Sequence, residues 1–194
     1  MPAPKVLAFA GSLRKDSFNK KLARVAADAV RAAGGEVTLI DLKDFPMPLY
    51  DGDIESSEGI PPTAKKFKEL MLAHEALLIS SPEYNTSITG VLKNTIDWAS
   101  RAEKGEPPLA CFDRKVAALL SASPGALGGI RSLLTIRSIL SNIRVLVIPE
   151  QQALPKAHEA FGPDGKLLDA KVQAGLETVA RRLVAVTAAL ARPA

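Results

Sequence analysis

The sequence predicts an α/β fold built on a five-stranded parallel sheet, and three observations carry the prediction. Strand-like and helix-like segments alternate from end to end of the 194 residues. The strand-like runs, such as Ala76-Leu77-Leu78-Ile79, are continuously apolar, as strands covered on both faces are. Three of the strand-to-helix loops (11–19, 81–87 and 121–129) are rich in Gly, Pro, Ser or Asn. Such units wind right-handed and stack helices on both sides of a sheet. No repeat, low-complexity tract or linker interrupts them, so residues 1–194 are expected to form a single domain.

The first strand is expected over residues 6–10 and ends at Gly11. A helix near 17–33 follows, with Leu22, Val25, Ala26, Ala29, Val30 and Ala33 on one stripe, and Gly34-Gly35 stop it. A second strand is expected over 36–41. Residues 43–60 have no clear period, and a loop of that length is usually functional or mobile. Its acids Asp51, Asp53, Glu55 and Glu58 fit no metal-loop spacing and read as a solvated face. Pro61-Pro62 open a helix to about 74, and a third strand covers 75–80. The next helix, to about 101, turns Ile88, Val91, Leu92, Thr95 and Ala99 inward, with Trp98 and Arg101 at its exposed end. A fourth strand is expected over 115–120, a helix over 128–141, a fifth strand over 143–148 and a last helix over 169–191.

Composition narrows the class. With 47% hydrophobic and 24% charged residues the chain can bury a sizeable core. The net charge of +4 is a weak bias toward anionic ligands; the 25 Lys and Arg are spread out, with no basic cluster interleaved with aromatics, so a nucleic-acid partner is not expected. One cysteine, Cys111, precludes an internal disulfide and reads as a small apolar filler in a reducing compartment. The start, MPAPK, lacks a signal-peptide pattern, and no apolar run approaches the ~20 residues of a membrane span. A cytoplasmic protein with no membrane partner is expected.

Loop 11–19 carries the first chemical reading. Strand, short polar loop, helix N-terminus is the layout that holds a phosphate, because the helix offers unpaired N–H groups and the positive end of its dipole. Ser12, Ser17 and Asn19 add neutral donors and Arg14 a charged fork. A charged hydrogen bond contributes roughly 1.5–3 kcal/mol and a helix terminus about 0.3–1, so Arg14 and the amides dominate. The plain alternative is that Ser17 or Asp16 merely caps the helix. Neither G-x-G-x-x-G nor GK[ST] is present, which excludes a dinucleotide fingerprint and a nucleoside-triphosphate loop. A mononucleotide phosphate remains.

With strand order 2-1-3-4-5, the loops after strands one, three and four line one crevice at the carboxyl edge of the sheet. In 81–87, Ser-Pro-Glu-Tyr-Asn sets a phenol and an amide beside irregular backbone that can read the edge of a flat heteroaromatic ring, with Tyr84 free to stack or to anchor its loop. In 121–129 the glycines let main chain lie along the remaining edge, or else make a plain turn before a helix.

GSLRKDSFN (11–19), PEYNTSITGVLKNTIDWASR (82–101) and SASPGALGG (121–129) resemble the three signatures of the NADPH-dependent FMN reductase family. That family has a flavodoxin-like three-layer sandwich and includes chromate and quinone reductases. The likeness extends to PLYDGD at 48–53 and FGPDGKLLD at 161–169. It implies FMN as cofactor and NADPH or NADH as co-substrate. By position, Ser12, Arg14, Ser17 and Asn19 would hold the FMN phosphate; Pro82, Glu83, Tyr84 and Asn85 would frame the isoalloxazine; Ser121, Ser123 and Gly125 would close the site. Thr86 and Thr89 depart from the Gly and Pro more usual in the second signature. Losing a Pro near a helix start is expected to matter little, whereas Thr86 is placed to narrow the acceptor side.

No catalytic triad, G-x-S-x-G elbow or metal cluster is visible, and His74 and His158 read as structural or solvated. The reactive centre would then be N5 of the flavin, with no catalytic side chain. The expected cycle is ping-pong: a nicotinamide gives hydride to N5, leaves, and a small-molecule acceptor (a quinone, free flavin, an azo dye or chromate) takes its place. The resemblance also implies a homodimer or homotetramer. A non-catalytic electron carrier or redox-responsive binding module is the alternative, and a non-flavin nucleotide scaffold a third reading. Flavodoxin-type carriers are usually acidic, which argues against the carrier.

Overall fold

Strand β1 (Lys5–Ala10) has five of its six residues buried, and it lies inside the sheet with a partner on each side. A computed structural model describes residues 2–190. Its single five-stranded sheet runs β2-β1-β3-β4-β5, where β2 is Glu36–Leu39, β3 Ala76–Ser80, β4 Val116–Ala122 and β5 Leu146–Leu154. All pairings are parallel, with Val6 opposite Val37 on one side and Ala76 on the other. This is the predicted flavodoxin-like order, and its reversal between β1 and β3 opens a crevice at their carboxyl ends.

Helices α1 (Phe18–Ala32) and α6 (Ala170–Leu190) cover one face, where Leu22, Ala26, Val30, Val179 and Leu183 meet Val6, Ala8, Leu78 and Ala118. Helices α3 (Pro62–Leu72), α4 (Gly90–Ala99) and α5 (Ile130–Asn142) cover the other, where Phe67, Met71, Leu92, Ile96, Leu133 and Ile136 meet Leu7, Phe9, Leu77 and Leu119. Alternate strand residues thus feed opposite cores, which is why the strands read as unbroken apolar runs. No helix among the described residues is long and apolar enough to cross a membrane.

Three expectations need correction. The fifth strand lies at 146–154 rather than 143–148. Residues 143–145 are instead a turn in which Arg144 has φ +73, and the strand continues through a polar stretch. Its pairing with β4 shifts register between Ala117 and Leu119, and Pro149 falls in the part of β5 left out of the pairing. A bulge on an edge strand is where a proline is tolerated.

Segment 43–60 is not featureless. A 3-10 turn (Leu42–Asp44) begins it, and a short helix α2 (Gly52–Glu58) is capped by Asp51, whose side chain accepts the Asp53 N–H. Trp98 is not at an exposed helix end but fully buried, packed with Ile60 and Ala64 and edge-on to Tyr50. Trp98 Nε1 and Asn94 Nδ2 both donate to Pro48 C=O at 2.8 Å, so the segment is strapped to α4. Helix α4 begins at Gly90, with Thr89 as its N-cap, and the hydroxyl of Thr89 makes two buried bonds.

His74 is structural, as read: its ring nitrogens lie 2.7 Å from Leu70 O and from Thr38 Oγ1. His158 is half exposed beside Glu159.

Candidate flavin-binding crevice

The three loops meet. Ser12, Arg14, Ser17, Asn19, Pro82, Glu83, Tyr84 and Ser123 all line one crevice of about 80 Å³, together with Phe18, Ala122 and Pro124. Its floor is the end of α1. Ser17 is the N-cap residue but makes no side-chain capping bond, and the first turn carries no acid. The helix N-terminus therefore keeps its free N–H groups and uncompensated dipole for an external anion. Ser12 is buried, and its Oγ accepts the Arg14 N–H at 3.3 Å. Arg14 itself is exposed and pairs with no carboxylate among the described residues. An unspent guanidinium, hydroxyls and helix amides around a small hollow fit a phosphate.

Asn19 stands at the crevice but its amide is spent inward. Nδ2 donates to Ala122 O at 2.8 Å, while Oδ1 accepts Ser80 Oγ at 2.9 Å and Ala122 N at 3.0 Å. From α1 it ties the ends of β3 and β4 together, which positions the loops rather than offering a donor to an anion.

Pro82 and Glu83 leave β3 into a two-residue hairpin in which Tyr84 and Ser87 exchange main-chain bonds of 2.9 and 3.1 Å. Asn85 (φ +50) and Thr86 (φ +72) form its turn. Both positive angles suit a primed hairpin turn; asparagine tolerates this region, but a β-branched residue is strained there. Tyr84 is 52% exposed, so its ring is free to cover a ligand face. The Glu83 carboxylate accepts the Arg131 N–H at 3.0 Å and Arg131 Nε at 2.6 Å, which caps α5 and pins the hairpin to it.

Ser121 and Gly125 do not line the crevice, nor does Asn85. Ser121 is fully buried beneath Gly129, with its hydroxyl unpartnered, because the strand extends through Ala122 and turns Ser121 into the interior. Ser123 is the residue that reaches the hollow; its Oγ accepts the Gly125 N–H at 3.2 Å and its main chain is tied to Leu154 and Ala157. Gly128 (φ +61) runs so close to the end of β5 that a Cβ would meet Pro155 N at 2.7 Å, so only glycine fits. Phe18, Ala122 and Pro124 escaped the sequence reading because their types carry no polar signal.

A larger hollow, about 760 Å³, lies elsewhere, between α1, the turn at 162–167 and α6. Of its cations, Lys166 lies 3.4 Å from Asp164 and Arg181 3.8 Å from Glu177, while Lys21 and Arg24 pair with no carboxylate among the described residues. None of the loops at 11–19, 81–87 and 121–129 lines it.

Comparison with known proteins identifies the family. The family model described as NADPH-dependent FMN reductase matches residues 4–159. The NAD(P)H-dependent FMN reductase of Pseudomonas aeruginosa is 39% identical over 170 residues, covering 87% of each chain. The NADPH:quinone oxidoreductase of Arabidopsis thaliana is 35% identical over 191 residues, covering 96% of this chain and 93% of that one. Among solved structures, FerB, a flavoenzyme NAD(P)H:(acceptor) oxidoreductase from Paracoccus denitrificans, superposes with a TM-score of 0.81 at 27% identity, covering 96% and 98%. The chain belongs to the NADPH-dependent FMN reductase family.

Proposed function

We propose that this protein is an FMN-dependent NAD(P)H oxidoreductase that passes electrons to a quinone or to another small acceptor such as free flavin, an azo dye or chromate, by a ping-pong cycle. The observation that carries the reading is the acid-free, side-chain-uncapped N-terminus of α1 beside the unpaired Arg14, at the carboxyl ends of β1, β3 and β4. Arg14, Ser12, Ser17 and the α1 amides would hold the phosphate. The main chain of Pro82–Asn85 would meet the ring edge, Tyr84 one face, and Ser123 with Gly125 the far side. FMN, when bound, supplies the two-electron chemistry that no side chain here offers. The chain's part is to orient the ring, to place N–H groups where negative charge grows and to limit water.

For assembly, Ile130 and Leu134 at the start of α5 are 40% and 62% exposed, an apolar strip suited to a second copy. Trp98 is unavailable for that role.

Steady-state oxidation of NADPH and of NADH with a quinone and with chromate tests the proposal. Parallel double-reciprocal lines are expected with FMN-loaded protein. Yellow protein without turnover would leave an electron carrier, and protein that takes up no FMN would leave a non-flavin scaffold.

A further inference from the structure

We propose that Thr89 is a positioning residue for the phosphate of the flavin nucleotide, acting through Gly11; the inference rests on the FMN reading above. Thr89 is 2% exposed at the N-cap of α4. Its hydroxyl works in both directions: Oγ1 accepts the Leu92 N–H at 3.2 Å and donates to Gly11 C=O at 2.7 Å. Gly11 is the first residue of loop 11–19, and its own N–H donates to Ser80 C=O at 2.9 Å. Both main-chain polar groups of Gly11 are therefore fixed, one by the end of β3 and one by the start of α4.

The consequence runs down the loop. The Gly11 carbonyl belongs to the same planar peptide as the Ser12 N–H, which closes on Ala10 O at 2.8 Å. Fixing that carbonyl fixes the peptide plane, then Ser12, then the Arg14 N–H that Ser12 Oγ accepts. Leu92, one turn into α4, presses on the same residue, since a Cβ on Gly11 would come within 2.9 Å of Leu92 Cδ2. A buried hydroxyl and a packed leucine thus seat the phosphate loop against the helix that follows the ring-framing hairpin.

The backbone does not demand threonine. Thr89 has φ −74 and ψ 152, angles that proline adopts, and no described group accepts its N–H. Proline there would keep the helix start and supply neither bond. The hydroxyl is what this chain adds where the family signature more usually has proline.

The test titrates the full-length apoprotein with FMN and with riboflavin, which lacks the phosphate, by flavin fluorescence, and melts each variant. Thr89→Val and Thr89→Pro should raise the Kd for FMN about tenfold, as for a lost orienting hydrogen bond, and leave that for riboflavin within about twofold. Thr89→Ser should restore the wild-type ratio. Thr187→Val, which removes a buried hydroxyl whose one hydrogen bond among the described residues goes to Leu183 O in α6, should lower Tm without changing the ratio. An unchanged FMN-to-riboflavin ratio in the Val and Pro variants, or equal weakening of both ligands, overturns the inference. Should Thr89→Val not fold, Thr89→Pro decides alone. Wild-type protein that binds neither ligand overturns the FMN reading itself, a different result from any of these.

Discussion

Arg14 and Thr86 are the two residues whose unspent or unfavourable state is most informative. Arg14 has a buried neighbour holding its main chain but no partner for its guanidinium, so Arg14→Ala removes nothing from the folded chain. It should leave Tm unchanged and weaken FMN binding by about 1.5–3 kcal/mol, the worth of one charged hydrogen bond; equal affinity of the two proteins for FMN would refute the phosphate assignment. Thr86 shows the reverse balance. At φ +72 a β-branched residue sits where glycine is at ease, a cost of about 1–3 kcal/mol. Glycine loses roughly 0.5–1 kcal/mol of that gain through the freedom of its unfolded chain. Thr86→Gly should therefore be more stable by about 1 kcal/mol, read as a Tm rise of roughly 2–4 °C. A lower Tm would mean that the threonine makes an interaction worth more than its strain. The sequence singled out Arg14 by charge, and the family resemblance singled out Thr86 by its departure from glycine, but the sign of the backbone angle came only with the hairpin.

At the scale of elements, segments with a strong apolar period were legible and segments built on polar stitching were not. The helix α1 stripe and the runs of β1, β3 and β4 stand out because burial on a fixed face demands them. Helix α2 is seven residues with none buried, held by an Asp51 cap, so it has no period to read. The strap over α4 depends on Trp98 Nε1 and Asn94 meeting a single carbonyl, a coincidence of tertiary structure. Trp98→Phe deletes one of those two bonds and leaves part of a fully buried indole's space empty; a loss of about 2–3 kcal/mol is expected by thermal or urea unfolding, about 1 for the bond and the rest for the cavity. The loop at 100–114 is closed by buried charge. Lys68 is 2% exposed, and its Nζ donates to Arg101 O at 2.7 Å and to Glu106 at 2.6 Å. The Glu106 carboxyl is held below its ordinary value of 4.5, first by the Glu103 N–H it accepts and then by Lys68. A carboxyl with a depressed pKa stabilises the fold above the unfolded value and loses that contribution as pH falls through the folded one. Tm should thus decline below about pH 4.5 in the wild type, and Glu106→Gln should start lower at neutral pH and decline less steeply. Parallel Tm–pH curves would exclude Glu106 as a source of the acid sensitivity.

At the scale of the whole molecule, the order of strands was legible because only a switch between β1 and β3 brings the three unusual loops together. The site was legible to the same extent: the residues of loops 11–19 and 82–84 reach the crevice, whereas Ser121 turns inward because β4 runs two residues further than its apolar stretch. One side chain reports on the cohesion of this assembly. Cys111, the only cysteine, is 1% exposed in the core beneath α3, and burial pushes its thiol up to about 11. At pH 8 a group with that pKa is about one-thousandth thiolate, and it has no path to reagent while the core is closed. Native alkylation should consequently be slow and proceed through opening of the fold, accelerating with urea along the same slope as global unfolding. If FMN occupies the crevice as proposed, it binds the folded chain and not the unfolded one, and saturating FMN should slow the reaction by the factor 1 + [FMN]/Kd. A rate indifferent to both urea and FMN would instead mean that the 100–114 segment lifts off by itself, with the flavin crevice still assembled. Arg14→Ala offers an internal check, since it should shift the FMN dependence to higher concentration without altering the rate in FMN's absence.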